Sequence, residues 1–271
     1  MHGWVTVMLT MLALLMSLTS GTTLAASGED VDVDVELVLA VDVSGSMDIE
    51  EAQIQRAGYV DALRHAEFIN AVRDGLTGRI AITYFEWAGT VRDSSHIPWQ
   101  IISGPDDANA FAALLEARPI ATRRGTSISS AIAYGAKLFD ANSYSGMRRV
   151  IDVSGDGPNN FGPPVTPARD AANALGIIIN GLAIMIRPSA AYGSLDDYYS
   201  NCVIGGPGAF VLPVQEPEDF AIAIRRKLIL EVSGAEPLAR IVPAAGSNVD
   251  CLIGERLRPS NMDRYYPELD R

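Results

Sequence analysis

The run Val41-Asp42-Val43-Ser44-Gly45-Ser46-Met47 holds the most distinctive chemistry in this chain. One carboxylate and two hydroxyls alternate along it, and Gly45 permits the tight turn that lets all three converge on one point. Oxygen-only donors of this kind suit a hard divalent cation, Mg²⁺ or Mn²⁺. Taken alone, the pattern fits a polar turn that caps a helix equally well. Two further oxygen donors lie far along the chain: Thr126, within Arg124-Gly125-Thr126-Ser127-Ile128, and Asp156, within Ser154-Gly155-Asp156-Gly157.

The elements that must position these groups follow from hydrophobic patterning. Residues 35–41 are apolar and β-branched and read as a buried strand. An amphipathic helix over 49–74 follows, opened by Asp48-Ile49-Glu50-Glu51 in the manner of a capping box, with Tyr59, Leu63, Ala66, Ile69 and Val72 inward. Strands are predicted over 79–87 and within 90–102. The link between them is too short for a helical crossover, so this pair is antiparallel. Helices over 106–117, 126–139, 166–175 and 218–232 alternate with strands over 149–154, 177–186 and 209–214. The alternation predicts an α/β fold: a doubly wound, mostly parallel six-stranded sheet with one antiparallel edge strand and helices on both faces. Such sheets bind ligands at the carboxyl ends of their strands. Asp42, Ser44 and Ser46 follow one strand there, Asp156 follows another, and Thr126 opens a helix from the same edge.

Asp42-x-Ser44-x-Ser46, then Thr126 within Gly-Thr-Ser-Ile, then Asp156 within Ser-Gly-Asp-Gly, resemble in order the metal-ion-dependent adhesion site (MIDAS) of the von Willebrand factor A family. The resemblance spans about residues 33–232. One departure is Gly155, where that family more often has Thr. More narrowly, the chain looks like an exported bacterial group of such domains with no assigned function, which Val203-Ile204-Gly205-Gly206-Pro207-Gly208-Ala209-Phe210 resembles. The resemblance implies a non-enzymatic module in which an Asp or Glu from a partner protein completes the coordination of Mg²⁺ (or Mn²⁺). The charges agree with that use. Two carboxylates neutralise a divalent ion, and three neutral hydroxyls leave it electrophilic towards a further carboxylate.

Loops after the strands flank such a site. Asn159, Asn160 and Phe161 sit in one, and Tyr192, Asp196, Asp197, Tyr198 and Tyr199 in the polar insertion over 187–208. Of these, Asn159, Asn160, Phe161, Tyr192, Tyr198 and Tyr199 are candidate partner contacts, because Tyr-rich loops are frequent at interfaces. Packing of the insertion explains its tyrosines equally well.

Hydrolase readings are weaker. No second Asp follows Asp42 as in phosphatases with paired aspartates, no G-x-S-x-G is present, and His2, His65 and His96 are poorly placed for a triad. His96 is expected to be exposed in a hairpin turn. Gly205-Gly206-Pro207-Gly208 lacks the Lys-Ser/Thr of a phosphate-binding loop. Asp152 falls inside a strand, as an acceptor behind the site or at a polar sheet edge. Glu50 and Glu51 are explained by the helix dipole.

The 271 residues carry a net charge of −12 and no long basic run, which argues against nucleic acid. Residues 1–28 contain no Asp, Glu, Lys or Arg and an apolar core from Trp4 to Leu18, so residues 1–26 read as a signal peptide, with an uncleaved anchor as the rival. After cleavage about 245 residues remain, enough for one α/β domain over 33–232 and a tail over 233–271. The location is then periplasmic or secreted, with no further membrane span. Cys202 and Cys251 either form a disulfide in that compartment or stay as two buried thiols.

Overall fold

The computed structural model describes residues 30–235, apart from 48 and 190, and residues 249–258. The leader over 1–26, the cap at Asp48 and most of the tail over 233–271 lie outside the described residues. Six strands form one sheet: β1 (Val31–Asp42), β2 (Ile80–Trp87), β3 (Val91–Ile102), β4 (Tyr144–Gly155), β5 (Ile177–Ile184) and β6 (Val211–Val214). Their order is β3-β2-β1-β4-β5-β6, with only β2–β3 antiparallel. The doubly wound architecture expected from the alternation is therefore present.

Register explains where the site lies. Asp42 ends β1 opposite Trp87 of β2, and Val41 pairs with Ser154 of β4, so the chain leaves both central strands at the same edge. The second half of β1 is buried on both faces, which is why residues 37–41 are continuously apolar rather than alternating. Pro98 lies on edge strand β3, where no neighbour needs its missing N–H.

Helices α1 (Ile49–Arg64), α2 (Ala66–Arg73), α3 (Pro105–Glu116) and α7 (Phe220–Ser233) pack together, and the core on their side holds Leu37, Leu39, Tyr59, Leu63 and Leu228. Helices α4 (Ile128–Leu138), α5 (Val165–Ala174) and α6 (Leu195–Tyr198) share the second core with Val38, Phe85, Trp87 and Ile151. A short α8 (Ile253–Leu257) lies near the C-terminus.

Three expectations change. The helix predicted over 49–74 is two helices. His65 takes extended backbone (φ −73°, ψ 137°), and its Nδ1 accepts the Glu67 N–H at 3.2 Å, capping α2. The break turns Ala66 outward and buries Phe68 instead. His96 is half-buried rather than exposed, within hydrogen-bond distance (3.2 Å) of Thr83 Oγ1, and burial lowers its pKa. Asp152, on an interior strand, is at no sheet edge, and its partner is not the site but Lys227 of α7: it is wholly buried, 2.5 Å from Lys227 Nζ.

Candidate metal centre

The oxygens of the opening motif meet at the carboxyl edge of the sheet. Asp42 is fully buried, and its Oδ1 accepts the Ser44 N–H at 2.6 Å, which folds the turn back on the carboxylate. Ser44 Oγ lies 3.0 Å from Ser46 Oγ, and Ser46 Oγ donates to Asp156 Oδ1 at 2.7 Å. The structure thus brings four of the five candidate ligands into one connected set.

Thr126 is positioned by three hydrogen bonds to two neighbours. Its N–H donates to Asn160 Oδ1 (2.9 Å), and its carbonyl accepts from the N–H groups of Asn160 (2.8 Å) and Phe161 (3.1 Å). On either side of it, Ser127 N–H donates to Ala88 O (2.8 Å) and Arg123 N–H to Val43 O (2.8 Å). The Thr126 loop is therefore clamped to the ends of β1, β2 and β4. Gly125 adopts φ +79°, and a Cβ there would lie 3.0 Å from Gly89 Cα, so glycine is required for both its conformation and its closeness.

Electrostatics mark the same point. Burial, then the charge of Asp156, pushes the Asp42 carboxyl well above the ordinary carboxylate range. Asp156 is pushed up to about 6, by burial and by Glu51, against the hydrogen bond from Ser46. Glu51, read from the sequence as a helix-dipole acid, also pairs with Arg187 at 3.2 Å. Asp42 Oδ2 is buried without a hydrogen-bond partner. A buried, unpartnered carboxylate oxygen beside a second acid is costly unless a cation accompanies it.

Among the described residues, no group of three or more His, Cys, Asp or Glu could hold a metal ion. Any cation here thus depends on the hydroxyls of Ser44, Ser46 and Thr126 beside the two carboxylates. That all-oxygen set fits a hard divalent cation such as Mg²⁺ or Mn²⁺.

The flanking loops are more enclosed than interface residues would be. Asn159, Phe161, Tyr198 and Tyr199 are buried, whereas Asn160 and Tyr192 are half-buried. The cause is the C-terminal segment. Cys202 and Cys251 form a disulfide, which ties α8 against the loop, and Glu255 Oε1 accepts from Asn159 Nδ2 at 2.8 Å. Tyr198 Oη accepts the Asn159 N–H at 3.2 Å. Tyr192 Oη donates to Asp156 O at 3.2 Å, and Arg258 lies 4.6 Å over the Phe161 ring. Sequence reasoning noted Gly155 only as a departure and missed its role. A Cβ there would lie 2.9 Å from Asp42 Oδ2 and 2.5 Å from Tyr199 Oη, so the bare backbone makes room for the acid. Its departure from the family pattern was the available signal.

The fold is that of a von Willebrand factor A domain. It is similar to proximal thread matrix protein 1 from the mussel byssus, solved with a zinc-occupied MIDAS motif (14% identity, TM-score 0.51, 76% of this chain and 49% of that one). It is also similar to the pilus adhesin SpaC from Lactobacillus rhamnosus GG (15%, 0.55, 77% and 31%) and to a von Willebrand factor type A protein from Catenulispora acidiphila (15%, 0.51, 74% and 43%). The chain thus spans half or less of the length of these solved structures. The chain belongs to the family described as protein of unknown function DUF1194, whose model matches residues 32–236. No curated protein matches it in sequence.

Proposed function

We propose that this domain is an exported, divalent-metal-dependent protein-binding module. Asp42, Ser44, Ser46, Thr126 and Asp156 hold Mg²⁺ (or Mn²⁺), and an Asp or Glu of a partner protein completes the coordination. The ion supplies a local positive charge on a chain of net charge −12, which allows an acidic protein to bind an acidic group. The observation that carries this reading is the connected set Ser44–Ser46–Asp156 beside an Asp42 oxygen that is buried and unpartnered.

Asn160 and Tyr192 are the flanking residues left in reach of a partner. With Pro158, Gly254, Leu257 and Arg258 they line a cleft of about 280 Å³ whose Tyr192 hydroxyl touches the backbone of Asp156. The module works in the periplasm or outside the cell, directed by residues 1–26. No described helix is long and apolar enough to cross a membrane.

Titration calorimetry with MgCl₂ and MnCl₂ tests the metal, and capture from envelope extract in Mg²⁺ against EDTA tests the partner. The expected result is binding by the wild type, none by Asp42→Ala, and prey lost in EDTA. Equal capture in both conditions overturns the adhesion reading. The burial of Asn159, Phe161, Tyr198 and Tyr199 favours a second reading, in which the ion only staples the loops. On that reading Mg²⁺ raises the melting temperature and no prey appears.

A further inference from the structure

Beneath α7, away from the metal centre, Lys227 is buried between two carboxylates. Its Nζ lies 2.5 Å from Asp152 Oδ1 on β4 and 2.5 Å from Glu231 Oε1 one turn further along α7. All three residues are at most 1% exposed. Glu231 is oriented: Asn180 Nδ2 donates to its Oε1 at 3.1 Å, and Asn180 Oδ1 in turn accepts the Phe210 N–H at 3.1 Å. The Phe210 ring centroid is 5.8 Å from Nζ. Nothing in the metal centre or in partner binding uses this cluster.

A buried cluster of one ammonium and two carboxylates carries a net negative charge that the interior penalises. Burial, then the Asp152 charge, pushes the Glu231 carboxyl up to about 7, and burial raises Asp152 as well. At neutral pH a proton is therefore available beside the Lys227–Asp152 contact. Amine and carboxyl are held in contact, each at most 1% exposed, which converts a bimolecular condensation into an intramolecular one of high effective concentration.

We propose that Lys227 and Asp152 condense into an amide cross-link between α7 and β4, with Glu231 as the acid–base group. Nζ first passes one proton to Asp152 across their 2.5 Å contact, giving a free amine and a carboxylic acid. The Nζ lone pair then attacks Asp152 Cγ and the C–N bond forms. Protonated Glu231 gives its proton to the departing Asp152 hydroxyl and recovers one from Nζ. The C–O bond breaks and one water leaves. No oxidant, metal or second substrate is required. The product replaces a buried ion pair by a neutral amide and leaves protonated Glu231 as a donor to the new carbonyl.

The test is intact mass spectrometry of the folded, purified chain, followed by peptide mapping under denaturing and reducing conditions. The expected wild-type protein is lighter than its sequence by one water, with the Lys227 and Asp152 peptides joined. Glu231→Gln is expected to keep the full sequence mass while retaining a cooperative melting transition, and Lys227→Arg to lack the joined peptide. A folded wild type at full mass, with both peptides recovered separately, overturns the proposal. So does a cross-link that persists undiminished in Glu231→Gln, because it removes the assigned role of that group.

Discussion

Ser46 Oγ donates a 2.7 Å hydrogen bond to Asp156 Oδ1, joining the loops after β1 and β4 across 110 positions of sequence. The contact lies beside Asp42, whose ionisation is opposed by burial and by the charge of Asp156. Without a cation, the two carboxylates oppose each other in a buried place, and replacing one by an amide relieves the repulsion. Asp42→Asn is therefore expected to raise the unfolding midpoint in EDTA, by a gain on the order of 1 kcal/mol. The same change abolishes the rise that Mg²⁺ causes in the wild type. Denaturant melts with EDTA or MgCl₂ read both effects, and an equal Mg²⁺ response in the two proteins counts against Asp42 as a ligand.

The same acids set a pH dependence of definite sign. Asp156 is pushed up from 3.8 to about 6, so between these values the folded chain binds more protons than the unfolded one. Stability in EDTA then falls as pH rises through this window, because the folded state must ionise an acid it disfavours. Glu231, at about 7, acts in the same direction. Saturating Mg²⁺ competes with protons at Asp42 and Asp156, so its stabilisation grows as pH rises through about 6. The difference between melts in Mg²⁺ and in EDTA, taken from pH 5 to 8, isolates the metal centre from Glu231. A difference that is flat with pH contradicts this assignment.

Much of this arrangement was legible in the residues. The continuous apolar run of β1, the amphipathic segment after it and the Ser-Gly-Asp-Gly end of β4 marked the sheet edge where Asp42, Ser44, Ser46 and Asp156 now meet. Those signals are local: period, turn chemistry and strand ends. The missed features depend on contacts between distant segments. His65 breaks the first helix by accepting the Glu67 backbone N–H on its ring, which hydrophobic period does not register. Asp152 meets Lys227 only because α7 lies over β4. Tyr198 packs under a C-terminal segment held by Cys251, whose pairing with Cys202 the spacing of the cysteines alone did not decide.

Gly155 is the tightest point behind the centre. A Cβ there would lie 2.9 Å from Asp42 Oδ2, 2.5 Å from Tyr199 Oη and 3.4 Å from Trp87. Gly155→Ala is expected to cost about 1–3 kcal/mol, the usual penalty for overpacking a filled core. It also displaces Asp42 and weakens Mg²⁺ binding at least tenfold. Calorimetry on the folded variant separates the two effects; unchanged affinity shows that the Asp42 carboxylate does not depend on this clearance.

The disulfide closes a loop of sequence separation 49, which in the chain-entropy model is worth about 4 kcal/mol. Reduction, or Cys202→Ser with Cys251→Ser, is expected to lower the denaturation midpoint by up to that amount. Reductant then has no further effect on the double variant. The contact of Glu255 with Asn159 makes the loop beside Thr126 the first place to loosen. Hydrogen exchange at residues 157–161 should accelerate on reduction; protection that is unchanged there shows that the loop holds without its strap.

Adjacent tyrosines give opposite expectations. Tyr198 Oη accepts the Asn159 N–H at 3.2 Å, so Tyr198→Phe strands a buried donor and costs about 1–2 kcal/mol. Tyr199 Oη is buried with no hydrogen-bond partner, and burial with the charges of Asp42 and Asp156 pushes its pKa well above the ordinary value. Removing that hydroxyl gives up no bond and no burial of the ring. Tyr199→Phe is therefore neutral or slightly stabilising in EDTA, within about 0.5 kcal/mol of the wild type on the destabilising side. Paired denaturant melts decide it. Equal losses in the two variants would mean that Tyr199 holds a bond as strong as that of Tyr198, and that the Asp42 side of the floor is better satisfied than its geometry indicates.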